Sequence, residues 1–282
     1  MRPPDILAGA EHNHLPARLR ILLALAMTLL PLTATAGELK DAIKDAAKTA
    51  VDDATTLAKA PIKWKAPEWR RFAEGAGTVA AVMVADKKLE DIFQRNRSSA
   101  TDSFARKVTP FGGGRASQVS AVLIATGWLI HNDNVFGAGR DSLEAEIWAG
   151  GIVTPIIKDI AGRARPNTNE GTWKFHAFSA DNAHNSFPSG HATNAFAAAT
   201  AIAAHSDGWI VPTIVYTLAT GVAFSRVNDR AHFPSDVVAG ALIGRAVARG
   251  LVARHLRMHV APLIAPKVKG VTLSMSWGAP HT

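Results

Sequence analysis

Cysteine is absent from the 282 residues. That excludes a thiol nucleophile, a thiolate metal site and any disulfide, so an exported form of the chain must draw its stability from its apolar core. Acidic residues are in short supply: 23 Asp and Glu stand against 31 Lys and Arg, a net charge of +8. No internal repeat or low-complexity segment is present, which argues against solenoid and fibrous classes. Hydropathy is also modest, with a mean of +0.07, low for a polytopic membrane protein. What is present is a globular composition, 48% apolar and 19% charged, enough to build a sizeable core. A basic surface of this kind attracts nucleic acid, anionic lipid or phosphorylated substrates.

The N-terminus reads as an export signal. Arg18 and Arg20 precede the apolar run Ile21–Leu30, and Ala34-Thr35-Ala36 supplies the small-x-small exit. A basic, then apolar, then small-residue order is that of a secretory signal peptide, here over 1–36. An uncleaved membrane anchor is the alternative; the run is short of the roughly 20 residues a span needs, which favours cleavage. Residues 1–36 hold three Arg against one Asp and one Glu, so the remainder keeps +7. Export places it in the periplasm or cell envelope, free or associated with the inner membrane. It also leaves nucleic acid out as a partner.

Helical periodicity dominates the rest. Leu39, Ile43, Ala46, Ala47, Ala50, Val51, Ala54 and Leu57 recur at helical spacing opposite a charged face, giving an amphipathic N-terminal segment over 37–75. Pro61 and Pro67 interrupt it, and a second helical stretch covers 68–95. Phe111-Gly112-Gly113-Gly114 reads as a plain connector. Apolar stretches at 117–130, 143–157, 192–204 and 209–224, and a fifth at 236–256, are too long for strands and predict helices. The first four are apolar all round, which predicts burial in a core or a membrane. Gly208–Ser225 is an 18-residue stretch without charge, near the lower limit for a span. The expected fold is an all-α helical bundle over 76–258, soluble or peripherally bound, with a short β segment in the tail at 259–282. There Val271, Leu273, Met275 and Trp277 alternate with small polar residues.

Three clusters carry chemistry. Lys158 and Arg165-Pro166 are spaced K-x6-R-P; Lys supplies a compact charge and Arg a planar fork for two phosphate oxygens. Pro188-Ser189-Gly190-His191 opens the Ala-rich helix. Its free N–H groups make an anion site, Ser189 caps the helix or binds an oxygen, Gly190 admits a ligand to the backbone, and His191 is a general-acid candidate. Ser225-Arg226 leads to His232 and Asp236. A carboxylate four residues on can reach back to one imidazole nitrogen and leave the other free to attack. A His-x3-Asp metal pair is the alternative, but no third ligand with metal spacing stands nearby. Each cluster alone also fits a solvated helix end. An antiparallel bundle, with helices running about 20 Å out and back at 1.5 Å per residue, gathers them at one end.

K-x6-R-P, P-S-G-H and S-R-x5-H-x3-D in this order resemble the three signature motifs of the type 2 phosphatidic acid phosphatase superfamily, which includes lipid phosphatases, class A acid phosphatases and vanadium haloperoxidases. The motifs span Lys158 to Asp236 and every signature position is matched. The resemblance implies a phosphatase acting on a lipid phosphate or a small phosphate ester. Lys158, Arg165, Arg226, Ser189 and the Gly190 amide would hold the phosphate. His232 would attack phosphorus, Asp236 would orient it, and His191 would protonate the leaving oxygen. It implies neither a metal nor another cofactor. A vanadium-dependent haloperoxidase built on the same residues is the alternative function, and a non-catalytic phosphate-binding protein a third.

Overall fold

The computed structural model describes residues 59–256 throughout, isolated helical positions between 44 and 56, and the backbone of two strands in the tail. The chain divides into two units, Met1–Asp52 and Asp53–Thr282. Of the first, only Lys44, Lys48, Val51 and Asp52 are described, all helical and exposed, within the expected N-terminal helix. The expected signal peptide at 1–36 and Trp277 lie outside the described residues.

The second unit is a helical bundle. Its first long helix, α1, spans Ala66–Arg95, with Pro67 in the first turn and the Glu68 carboxylate accepting from the Lys65 N–H at 3.0 Å. This start matches the sequence pattern, and the helix runs without a break through the boundary placed at 75/76. Helix α2, Ser99–Val108, begins where the Ser98 hydroxyl accepts from the Thr101 N–H at 3.3 Å. A 3₁₀ turn at Thr109–Gly112 leads into α3, Gly114–Leu129. Helix α4, Asp133–Ala145, is capped by Asn132. It passes through a π-helical stretch, Glu146–Val153, into α5, Thr154–Ala161, which Gly162 ends in the left-handed region at φ +58. After a long loop come α6, Gly190–Ala204; α7, Ile210–Asn228; and α8, Pro234–His255. Strands β1, Met258–Ala265, and β2, Val268–Met275, pair antiparallel as a hairpin, in agreement with the alternation read in the tail.

Helix α6 forms the centre, with α4, α7 and α8 against it. Its composition explains this: Ala192, Ala195, Ala197, Ala199 and Ala201 are all buried. Short side chains let backbones close in, and at Gly244 of α8 an added Cβ would stand 2.2 Å from the Thr193 carbonyl oxygen, so glycine is required there. Larger apolar groups seal the flanks. Val222, Phe233 and Leu251 are almost fully buried, each worth roughly 1.5–3 kcal/mol of transfer free energy.

The end of the bundle reached by the C-termini of α6 and α8 is tied by one carboxylate. Asp141 on α4 meets His205 Nε2 and His255 Nδ1 at 2.8 Å each, and Arg140 at 2.7 Å. Burial works to raise this carboxyl, but the histidine hydrogen bonds and Arg140 outweigh it and hold it well below the usual range. Between α3 and α4, Glu146 accepts from Ser117 at 2.7 Å, Ser120 at 2.9 Å and Ser142 at 3.4 Å. Burial nevertheless pushes it up to about 7.

The all-round burial expected of the apolar helices holds for α6 and not for α3 or α7. Val119, Val122, Trp128 and Leu129 of α3, with Trp209, Ile210, Val211 and Ile214 at the start of α7, are exposed. Neighbouring helices cover only one side of each. Helix α7 is the one described helix long and apolar enough to cross a membrane, and 28% of its apolar window is buried.

Candidate active site

The loop between α5 and α6, with the turn between α7 and α8, assembles the three motif clusters at one end of the bundle. Ser189 is the N-cap of α6, fully buried, with its hydroxyl facing the Ala192 N–H at 3.5 Å. Its own N–H donates to the Asp236 carbonyl at 2.9 Å, which locks the second cluster onto the third. The Gly112-Gly113 turn is more than the connector expected from composition. A Cβ at Gly112 would lie 2.6 Å from the His191 carbonyl oxygen, and Asn194 Nδ2 donates to the Gly112 carbonyl at 3.4 Å. Glycine there lets α6 start against the turn.

His232 is 3% exposed. Its Nδ1 lies 2.7 Å from the Ser186 carbonyl oxygen. A carbonyl only accepts, so Nδ1 carries the hydrogen and Nε2 carries the lone pair. Burial, followed by the charges of Lys158, Arg165 and Arg226, pushes this imidazole well below its ordinary value. It is therefore neutral at neutral pH.

Asp236 departs from the role read in the sequence. Its Oδ2 is 4.0 Å from His232 Nδ1, beyond hydrogen-bond reach. Oδ2 instead accepts from the Ser186 hydroxyl at 2.6 Å and from the Phe233 N–H at 2.8 Å, and Oδ1 accepts from Arg163 at 2.6 Å. The carboxylate acts on the imidazole through Ser186, whose hydroxyl it holds and whose carbonyl holds His232. The spacing of four residues correctly brought Asp236 under His232, but the Ser186 backbone occupies the position expected for the carboxylate.

Arg163 is the centre of this support. It is fully buried, bridges Asp236 and Asp86 Oδ2 (2.8 Å), donates to Ser235 Oγ at 2.8 Å, and stacks over the Phe233 ring at 4.5 Å. Asp86 reaches in from α1 and also accepts from the Ser235 N–H at 2.9 Å. Two carboxylates and several neutral donors and acceptors thus surround one guanidinium, as a buried charge requires.

Three cations line the other side. The Lys158 ammonium contacts the Asn185 carbonyl and is pushed down to about 8, by burial first and then by Arg165. Arg165 donates to the Asn182 carbonyl at 3.0 Å and the Ala231 carbonyl at 3.3 Å. Arg226, at the end of α7, has Asp229 at 3.7 Å, and its buried Nε lacks a hydrogen-bond partner among the described residues. His191 is pushed down to about 4, by burial and then by Arg226, Arg165 and Lys158. Lys158 is held at Asn185, next to Ser186; Arg165 is held at Ala231, next to His232; and the His232 N–H donates to the Arg226 carbonyl at 3.2 Å. The structure therefore brings together Lys158, Arg165, Ser189, Gly190, His191, Arg226, His232 and Asp236. Sequence reasoning missed Asp86, Arg163 and Ser186. Arg163 lay inside the first motif, yet nothing in the sequence separated it from its neighbour Arg165, and no local signal pointed to Asp86.

A family model described as the PAP2 superfamily matches residues 145–258. Over those residues the chain is similar to the PAP2 superfamily. Beyond that match, a lipid A 1-phosphatase of Rhizobium johnstonii is 38% identical over 96 residues, which is 33% of this chain and 38% of that protein. A probable lipid phosphate phosphatase 4 of Arabidopsis thaliana is 33% identical over 35% of this chain and 41% of its own. The chain spans about two fifths of the length of the curated relatives it matches. Among solved structures, LpxE of Aquifex aeolicus aligns with a TM-score of 0.47 at 22% identity, over 60% of this chain and 94% of that one.

Proposed function

We propose that this protein is an exported phosphatase of the cell envelope that hydrolyses phosphate monoesters through a phosphohistidine on His232. The observation that carries the reading is a buried, neutral imidazole, its Nε2 lone pair fixed by the Ser186 carbonyl, beside three cationic side chains. Lys158, Arg165 and Arg226, with the Ser189 hydroxyl and the Gly190 amide at the N-terminus of α6, bind the phosphate oxygens. Nε2 attacks phosphorus, the P–N bond forms as the ester P–O bond breaks, and His191 gives the leaving oxygen its proton. The bound dianion raises His191 from its low resting value so that it can hold that proton. Water then cleaves the P–N bond with His191 as base. The fixed cations supply the charge stabilisation, so the chemical step needs no metal.

The substrate class follows from two supports. The two curated relatives described above are named as phosphatases of lipids. The exposed apolar faces of α3 and α7 suit contact with a membrane surface. We therefore favour a lipid-borne phosphate over a small soluble ester. No observation favours the haloperoxidase alternative.

The test compares a lipid phosphate monoester in mixed micelles with p-nitrophenyl phosphate, with and without detergent. The lipid is expected to show the higher kcat/KM, vanadate to inhibit competitively as a mimic of the five-coordinate transition state, and turnover at saturating substrate to persist in EDTA. His232→Ala is expected to remove turnover from both substrates. Wild-type turnover in that variant would overturn the mechanism, and a preference for the soluble ester would overturn the substrate class.

A further inference from the structure

The loop that follows the first motif carries a second group of chemical side chains, outside the phosphate pocket. Glu170, His176 and His184 each present one ligand atom, and these atoms lie within 4.8 Å of one another. Glu170 Oε2 is 2.9 Å from His176 Nε2, and Oε1 is 3.5 Å from His184 Nε2. The two imidazole rings stack at 3.9 Å with 25° between their planes. The Ser179 hydroxyl meets His184 Nδ1 at 2.8 Å, which orients that ring and turns its Nε2 toward the carboxylate.

One ring nitrogen from each histidine and the two oxygens of the Glu170 carboxylate thus share one small volume at the protein surface. A divalent cation satisfies all three groups at once. We propose that Glu170, His176 and His184 form a site for a borderline divalent metal of the zinc class. Two imidazole nitrogens and one carboxylate are its preferred donors, and three protein ligands leave a position for water.

The loop's anchors indicate what such an ion would do. His176 N–H donates to the Gly162 carbonyl at 2.7 Å, and Ala164 N–H to Lys174 O at 3.0 Å. Arg165 N–H donates to Ala183 O, the residue before His184, at 2.9 Å. Residues 170–184 are thus stitched to the segment bearing Arg163 and Arg165. A metal joining three points of the loop stiffens the Asn182 carbonyl, one of the two that hold the Arg165 guanidinium. It acts on phosphate affinity, not on the chemical step.

The experiment uses tag-free, chelator-stripped full-length protein titrated with zinc chloride in a calorimeter. One zinc per chain is expected, with affinity reduced about tenfold or more in Glu170→Gln and in His184→Ala. In parallel, histidines of the wild-type protein are labelled with diethyl pyrocarbonate and read by mass spectrometry. Zinc is expected to shield His176 and His184 and to leave the exposed His131 reactive. No zinc binding, or binding that neither variant weakens and that leaves His176 and His184 reactive, overturns the proposal. Such unaltered binding would point to the buried Asp141, Glu144 and His255 group instead. The labelling arm needs no variant, so a folding defect cannot mask the answer. Neither arm measures turnover, so the outcome is separate from that of the phosphatase reading.

Discussion

Asp236→Asn separates two ways in which a carboxylate can serve a catalytic histidine. Were Asp236 bound directly to the imidazole, its amide would present a donor to Nδ1 and flip the tautomer; in the serine protease triad that change costs about four orders of magnitude in kcat. In this structure the tautomer is set by the Ser186 carbonyl, with Asp236 Oδ2 4.0 Å away. The amide would disturb something else. Asp236 is fully buried and receives three donors, from Arg163, the Ser186 hydroxyl and the Phe233 N–H. The hydroxyl can reverse its role and accept from the new NH₂, but the guanidinium and the backbone N–H cannot. One of them loses its acceptor, and Arg163 keeps only Asp86 as a charged partner. Breaking one side of a buried ion pair costs about 3–5 kcal/mol, and the retained amide oxygen recovers part of this, leaving about 3 kcal/mol. For a domain of this size that lowers Tm by about 6–12 °C. Turnover, measured well below the new Tm, should fall only about 10–100-fold, the scale of a loosened positioning contact. Calorimetry and saturating kinetics on p-nitrophenyl phosphate read both numbers. A loss of about four orders of magnitude with Tm unchanged would refute the relay through Ser186 and restore a direct contact.

The pH dependence supplies further tests. Lys158 is pushed down to about 8, so kcat/KM should decline above that pH as the ammonium loses its charge. Lys158→Arg, which stays charged, should remove that alkaline limb while lowering kcat/KM at pH 6; an unmoved limb would assign it to another group. Glu146 is a carboxyl raised from 4.5 to about 7 by burial. The folded state binds its proton more tightly than the unfolded state does, so stability is greatest below 4.5 and declines as pH rises through 7. At about 1.4 kcal/mol per pH unit the ionised form costs about 3 kcal/mol. Glu146→Gln should therefore match the wild type in urea unfolding near pH 4.5 and exceed it by up to about 3 kcal/mol at pH 8. Equal midpoints at both pH values would remove the argument.

The site's cations and imidazoles were legible because their spacing is tied to local structure. Ser189 marked the start of α6, Pro234 that of α8, and the lengths of α6 and α7 returned Arg226 to the end where His191 begins. The support beneath them was not legible. Asp86 and Arg163 are 77 residues apart in sequence and meet only because α1 packs on α8. Ser186 contributes through a backbone carbonyl, a group every residue possesses, so no residue type announces it. Hydropathy identified α3 and α7 as apolar but not the side left open, since that depends on how many neighbours pack around each helix. The short α2 escaped because its ten residues mix polar and apolar types without a long apolar run.

The π-helical stretch at Glu146–Val153 lies within the continuous helical path from Asp133 to Ala161. An α-helix advances about 100° per residue, and a π turn spends an additional residue on the same circuit. Everything downstream is rotated by that increment, including Lys158. The heading of this ammonium is thus written into slack taken up earlier in the helix, at residues that never meet phosphate. Deleting one residue there and restoring ordinary winding would swing Lys158 around the barrel of its helix by about 100°, disarming the pocket with every signature residue still in place.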